Sequence, residues 1–308
     1  MRNRVCWIGG RSRLIFFWFS CFLASSAADE EHVWAGFQKV ARSGKRVFTV
    51  GVLGRPQDAL FVDHLTEAIG HSFEPNISFV STRITLGTVF TLVENQEIDF
   101  LYTVPTQLSC MTSEFDVAPI ATRRNVRQGF PGVKYGSVIY AKKDRDDIQT
   151  LKDVIGKRVV ASSITGTGAC QIPWKELEDN GISMMQDTSQ VIFAGGLQEV
   201  ADAVLDGLGD VGFGTMTALQ EMEDDPEVDI KFDDFKIINQ IPTQVDGVDL
   251  PFPVSTKMYP EWTVGALAHV ESEIVQRVSS VLLGTPTNHS ALVAAGLVRF
   301  DPPVSQTP

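Results

Sequence analysis

The sequence predicts an α/β protein of two lobes, each built on an open, mainly parallel sheet, with the chain crossing twice between them. Three observations carry this. The 308 residues exceed what one hydrophobic core usually fills. Apolar residues make up 44% and charged residues 21%, the composition of a folded globular chain. From Val47 onward, short apolar runs alternate with stretches of helical spacing, the pattern of open sheets covered by helices. The same composition excludes a disordered chain, a collagen and a multi-span membrane protein. A formal charge of −12, from 26 basic and 38 acidic side chains, argues against a nucleic-acid binder, whose footprint is a basic patch. Four cysteines are too few for a disulfide scaffold. No His/Cys cluster has zinc spacing, and nothing calls for a cofactor.

Residues 1–28 read as a secretory signal peptide. Arg2, Arg4, Arg11 and Arg13 form a positive region, Leu14–Leu23 is an apolar run, and Ala24–Ala28 supplies small residues for cleavage. A membrane anchor is the alternative, but ten helical residues reach about 15 Å across a core of roughly 30 Å. An exported, soluble mature chain is therefore expected, secreted or periplasmic. Loss of four arginines takes its charge from −12 to −16 and leaves Cys110 and Cys170, which in an oxidising compartment can pair in one way only. Asn76-Ile-Ser78 and Asn288-His-Ser290 fit the glycosylation sequon, which matters only in a host that glycosylates.

Residues 29–44 read as an exposed lead-in with a short helix. Val47–Leu53 is a buried strand, and Ala59–Ile69 has helical spacing at Leu60, Phe61, Leu65 and Ile69. Ile77–Ser81 is a strand, Thr88–Glu94 a helix, and Ile98–Tyr102 a strand closed by Val104-Pro105. Val138–Ala141 is the strand leaving this set. A second set follows: a short helix at Thr150, strand Val159–Ser162, a helix opened by Thr165-Gly-Thr-Gly168 and stopped at Asn180-Gly181. Strand Val191–Ala194, helix Leu197–Asp206 and strand Val211–Phe213 complete it. Ile237–Ile241 leads back to a helical tail with Ile274, Val278, Val281 and Leu282 at core spacing. The predicted division is 45–141 with 243–308 for lobe I and 142–242 for lobe II, with hinges near Ala141–Lys143 and Ile241–Gly247.

In open α/β sheets, ligands sit beyond the C-terminal ends of strands, at the starts of the following helices. Tyr102–Thr106, Ser162–Gly168 and Gly195-Gly196 occupy such positions. All three offer free backbone N–H groups, and the first two add hydroxyls, a combination that favours an anion. The plainer reading of each alone is that Thr165 and Thr167 cap a helix and that Gly195-Gly196 turns the chain. Their convergence on one cleft favours a site. GTGACQ is neither a nucleotide phosphate loop nor a dinucleotide fingerprint. His64, His71, His269 and His289 lie away from strand ends and read as surface or packing residues. There is no Gly-x-Ser-x-Gly elbow, and the run Glu221–Asp225 reads as a solvated helix end.

The blocks VGVL (50–53), IDFLYTVP (98–105), YGSVIYAKKDRDDIQTLKDVIGKRV (135–159), TGACQIPWKEL (167–177), EVADAVLDGLGDVG (199–212) and PFPVSTKMYPEW (251–262) occur in an order and spacing that resemble a known family. It is that of the phosphate/phosphite/phosphonate-type periplasmic solute-binding proteins. The match is nearest to the variant that serves as the sensor ectodomain of receptor kinases. The resemblance implies a type II periplasmic-binding-protein fold that closes two lobes on a small oxyanion. It implies ligand contacts at Tyr102, Thr103 and Thr106 in lobe I, and at Thr165 and Thr167 in lobe II, to which Gly166 and Gly196 are added by their strand-end positions. Asp210 also matches the family and is expected to be structural or to accept from a ligand amine. Leu197 stands where the family pattern has His, Gly166 where it has Ser, and Thr215 and Thr217 where sensor-type relatives show Arg and Asp. These differences imply less positive charge for an anion. Cys110 and Cys170 are placed by the resemblance near the cleft mouth, where a disulfide would tie the lobes together.

The function implied is an exported binding module with a phosphonate- or phosphate-like ligand and no catalysis. Its partner is either an ABC permease or, in the sensing alternative, a receptor kinase or cyclase for which a membrane span beyond Pro308 is needed. A small-metabolite enzyme on the same fold is the lesser alternative, since no acid–base pair or nucleophile supports it.

Overall fold

The computed structural model describes residues 46–54, 56–72, 76–85, 87–245 and 247–305. The expected leader and the lead-in helix lie outside them. The described chain forms two compact units, one of residues up to Ala121 together with Trp262–Pro302, the other of Thr122–Glu261 together with the residues from Pro303 onward.

Strand β1 (Arg46–Leu53) buries both faces from Phe48 to Val52, as a central strand of a covered sheet must. A single 3₁₀ turn leads into helix α1 (Leu60–Ser72), which buries Phe61, Leu65 and Ile69 on one stripe. Strand β2 (Ile77–Ile84) lies parallel to β1, with Arg46 opposite Ile77 and Leu53 opposite Ile84. Helix α2 (Val89–Glu94) and the wholly buried strand β3 (Phe100–Thr103) follow. Helix α3 (Pro105–Phe115) starts on a proline, whose missing N–H costs nothing at a first helical position, and ends at Asp116 in the left-handed region.

Strand β4 (Ala118–Arg127) runs across the division between the units, and β5 (Phe130–Gly132) pairs with its distal end. After β6 (Lys134–Tyr135) and β7 (Ser137–Lys142), a 3₁₀ turn with a Thr150–Asp153 capping box leads to β8 (Arg158–Ala161). A π-helical turn, Thr167–Gln171, runs straight into α4 (Ile172–Asp179). Strand β9 (Gln190–Phe193), helix α5 (Leu197–Leu205), strand β10 (Val211–Thr215), helix α6 (Ala218–Glu223) and strand β11 (Phe235–Ile238) complete the second sheet. The chain returns through β12 (Gln244–Val245), β13 (Val248–Asp249) and β14 (Tyr259–Pro260), which pairs with β6. Strand β15 (Thr263–Ala266), helices α7 (Ser272–Gly284) and α8 (Ser290–Ala294) and strand β16 (Leu297–Asp301) end the described chain.

The first sheet has the order β16-β4-β15-β3-β1-β2 and the second β11-β7-β10-β8-β9. The α/β class is as predicted, but the sheets are mixed. In the first, β1 is parallel to β2 and β3, while β15 runs antiparallel to β3. In the second, β8 is parallel to β9 and β10, while β7 is antiparallel to both β10 and β11. The antiparallel members β15 and β7 follow the two chain crossings, so no crossover helix fixes their direction. Strand β7 hydrogen-bonds into the second sheet along its whole length. The compact units part at 121/122, within β4, and at 261/262.

In the second unit one face of the sheet packs Ile139, Val159 and Phe213 on Trp174 and Leu177 of α4. The other packs Tyr140, Val160 and Phe235 on Val200 and Val204 of α5 and Leu219 of α6. Helices on both faces leave only the strand ends open to a ligand.

Candidate functional site

Because β8, β9 and β10 are parallel neighbours, their C-terminal ends share one edge of the second sheet. Two of the three predicted segments meet there. Beyond the last strand pair, Ala194 N donates to Ala161 O at 2.9 Å and Gly195 N to Ser162 O at 2.8 Å, so Gly195-Gly196 lies alongside the turn after β8. Gly195 has φ +101°, which glycine adopts without strain. Gly196 is the N-cap of α5. The third segment, Tyr102–Thr106, follows β3 in the first unit.

The turn Ser162–Gly168 is compact because two glycines allow it. A side chain at Gly166 would meet Ser162 Oγ at 2.6 Å, and one at Gly168 would meet Thr215 Cγ2 at 2.8 Å and the Tyr135 ring at 3.1 Å. Gly166 N donates to Ser163 O at 3.0 Å, and Thr165 is exposed with its hydroxyl 3.4 Å from that of Ser163. The helix then opens wide. Gln171 N donates to Gly166 O at 2.9 Å and Ile172 N to Thr167 O, five residues back, and Ala169 departs from helical angles. Pro173 has no N–H to close an ordinary bond to Ala169, which favours the wider turn. The first N–H groups of such a turn lack helical acceptors and carry the positive end of the peptide dipoles, an environment suited to an anion.

Below the turn lies a polar chain that the sequence did not reveal. Ser137 Oγ donates to Gly168 O at 2.6 Å, and buried Thr167 is hydrogen-bonded to the Tyr135 phenol. Burial, then the Glu261 charge, pushes the Tyr135 phenol well above its ordinary value, so it stays neutral. The Arg127 guanidinium stacks 5.2 Å from the centre of that ring and donates to Glu261 Oε1 at 2.6 Å, while Arg123 Nε donates to Glu261 Oε2 at 2.8 Å. Glu261 is 1% exposed. Burial alone would raise its pKa, but Arg123 and Arg127 outweigh that and hold the carboxyl below its ordinary value. The 251–262 block also braces the sheet: Ser255 Oγ accepts from Ile139 N at 2.9 Å and donates to Ile238 O at 2.7 Å, and Ser137 N donates to Thr256 Oγ1 at 3.0 Å.

Asp210 is not part of this edge. It precedes β10 and binds Arg158 at the start of β8, so it sits at the N-terminal ends of the strands. Arg158 Nε and Nη2 donate to it at 3.0 Å each, its backbone N at 2.9 Å and Arg145 Nη1 at 2.6 Å. These bonds, those of Arg158 first, hold its carboxyl well below the usual range even against partial burial. Asp210 is a staple between strand ends. Leu197, where the family pattern has His, packs against the apolar cluster of the second unit.

In the first unit, Tyr102 and Thr103 are fully buried in β3. The Tyr102 ring lies against Phe61, Trp262 and Phe300 at centroid distances of 5.3, 5.5 and 6.3 Å. Thr103 Oγ1 donates to Gln107 Oε1, and Thr106 is buried in the first turn of α3. His64 fits its predicted packing role: its ring rests on that of His289 and its Nε2 lies 3.0 Å from Thr285 Oγ1.

Cys110 and Cys170 do not form the disulfide that the sequence allows. Cys170 is a free thiol inside the second unit's core, and burial pushes it up to about 12. Cys110 is disulfide-bonded, and not to Cys170. The reason is local: the turn that presents Gly166 to the edge directs Cys170 inward beside Trp174 and Leu177. Among the described residues no group of three His, Cys, Asp or Glu could hold a metal ion, and no helix is long and apolar enough to cross a membrane.

A sequence profile described as "ABC transporter, phosphonate, periplasmic substrate-binding protein" matches residues 59–307. The chain belongs to this family. Solved structures agree in fold. The chain resembles XAC2383 from Xanthomonas citri bound to ATP with a TM-score of 0.67 and 16% identity, covering 85% of this chain and 92% of that one. It resembles PhnD1 from Prochlorococcus marinus in complex with methylphosphonate with a TM-score of 0.55 and 15% identity, covering 85% and 94%. These family likenesses establish a periplasmic-binding-protein fold of type II. The chain is also 27% identical over 217 residues to the tetrathionate sensor histidine kinase TtrS of Salmonella typhimurium, over 69% of this chain. That match spans 35% of the kinase, so the chain corresponds to about a third of that relative.

Proposed function

We propose that the chain binds a small oxyanion of the phosphonate or phosphate type at the C-terminal edge of β8 and β9, and that it does so without chemical turnover. The observation that carries this is the junction of the Ser162–Gly168 turn with Gly195-Gly196, held by the Gly195 N to Ser162 O bond. It sets two glycine-bearing helix starts side by side; the exposed Glu199 carboxylate lies where a side chain on Gly196 would stand, and in this reading it swings aside when an anion reaches that helix start. Thr165, Gly166, Thr167 and Gly196 are the proposed contacts. Tyr102, Thr103 and Thr106 are buried within the first unit and are not among the proposed contacts. The family and the methylphosphonate complex of PhnD1 support the ligand class.

In this reading the chain is exported by its leader and delivers its ligand to an ABC permease. A second reading is sensing, favoured by the match to the tetrathionate sensor kinase, in which the same edge holds a sulfur oxyanion and the partner is a receptor kinase. Thermal unfolding against phosphate, phosphite, methylphosphonate, sulfate and tetrathionate separates the two. A true ligand at 100 times its dissociation constant adds about 2.7 kcal/mol, a shift of several degrees. A shift with a phosphorus oxyanion alone supports the first reading and one with tetrathionate the second. No shift with any of the five overturns both.

A further inference from the structure

In the first unit, the half-buried rings of His64 on α1 and His289, the N-cap of α8, stack at a centroid distance of 4.0 Å. Their hydrogen bonds fix where the protons sit. Thr285 Oγ1 spends its one hydrogen on Val281 O at 2.6 Å, so it can only accept from His64 Nε2, 3.0 Å away. His64 therefore carries a proton on Nε2. His289 Nδ1 accepts from Ala291 N at 3.3 Å, which caps α8, and it can do so only without a proton. Burial, then the His289 charge, holds the His64 imidazole below its ordinary value, although Glu67 on the same helix pulls the other way. The flanking Asp63 and Glu67 are exposed, the end of α7 brings the uncharged Thr285, and α8 brings no other titratable side chain. The element held by the pair is slight. Helix α8 has five residues, too few to persist alone, and it docks through buried Leu292. Strand β16 follows directly as the outermost strand of its sheet, seated by Leu297 and Phe300.

We propose that the stacked rings of His64 and His289 form an acid-released latch: neutral, they hold α8 and edge strand β16 on the first unit, and protonated, they let that segment open. A proton on His289 Nδ1 removes the acceptor that caps α8, and a second proton on His64 sets like charges face to face. The sign follows from His64, which binds a proton less readily folded than unfolded. Its contribution is present above its ordinary value near 6.5 and is lost as pH falls through the lower, folded value. The latch lies in the first unit and does not depend on the oxyanion reading of the second.

The test is amide hydrogen exchange of the full chain at about pH 7.5 and about pH 5, which bracket the histidine range, read as protection factors so that the intrinsic pH dependence of exchange divides out. The expected result is a loss of about fivefold to tenfold in protection across 286–301 at the lower pH, the scale of a lost helix cap, with β1 and β3 unchanged. His289→Asn keeps a capping acceptor that does not titrate, and His64→Gln keeps a donor for Thr285, so the double variant should hold its protection at both values. Should His64→Gln not fold, His289→Asn alone decides, since it preserves the cap. The ring nitrogen spectrum at the higher pH gives a second reading, with the His64 proton on Nε2 and His289 Nδ1 bare. Equal protection of 286–301 at both values overturns the inference, as does a loss spread evenly over the whole chain. A loss that persists in the variants overturns it too, as does a proton found on His289 Nδ1 at the higher pH.

Discussion

Thr167 joins the candidate site to its support, since its buried hydroxyl is bonded to the Tyr135 phenol while its backbone opens the π-helical turn. Thr167→Ala should weaken phosphonate binding by about 1–3 kcal/mol, the range for leaving a desolvated partner unpaired. Thr167→Ser, which keeps the hydroxyl, should recover most of it. Calorimetry on both variants checks this, and equal losses would show that the methyl group and not the hydroxyl matters. Tyr102 belongs to a different class of residue. Flanked by Phe61, Trp262 and Phe300, it is a core side chain, and Tyr102→Ala should cost on the order of 3–5 kcal/mol of stability, as aromatic truncations in cores do. Chemical denaturation measures that cost. A destabilisation under about 1 kcal/mol would mean that the ring packs loosely enough to serve a ligand instead.

At the scale of elements, the Arg123–Glu261–Arg127 cluster ties strand β4 to the segment following β14 and carries Tyr135 on one guanidinium. Removing one partner of a buried ion cluster leaves the others uncompensated, so Glu261→Ala should destabilise by about 3–5 kcal/mol. The pH dependence has a definite sign. The Glu261 carboxyl titrates lower in the folded protein than in the unfolded chain, whose value is near 4.5. Its contribution is therefore fully present above about 4.5 and is lost as pH falls through the lower, folded value. Glu261→Gln should flatten the acid limb of the stability profile between those two values, and an unchanged limb would show that the cluster is not ionised as drawn.

This cluster also shows where the sequence stops being legible. The runs VFTVGVL, FLYT and VVA announce buried strands because both of their faces are covered, and they fold as read. Strand β4 escapes because its distal half, RRNVR, reads as a polar surface; Arg123 and Arg127 of that half face a single buried carboxylate more than 130 residues away. Asp210 looked like a ligand residue for a similar reason. Its partners Arg145 and Arg158 are remote in sequence, so only the folded sheet shows them filling its oxygens. The turn after β8 could be placed from Gly and Thr at a strand end, but the contact of His64 with His289 could not, because the two residues are remote in sequence.

For the molecule as a whole, family membership accounts for the two-unit α/β architecture, and the proposed site lies at one strand-end edge of the second unit. On the proposed reading the acidic chain repels an anion at long range and only oriented backbone donors hold it, so screening by added salt should not weaken binding. The central claim is the location of the ligand. The most direct test is the backbone amide spectrum of the isotopically labelled chain during titration with methylphosphonate. The expected result is that the largest shifts fall on Gly166, Thr167, Gly168, Gln171 and Gly196, with little change at Arg145, Arg158 and Asp210 at the opposite strand ends. Shifts centred on those three residues, or spread over the first unit while the Ser162–Gly168 turn stays silent, would contradict the account.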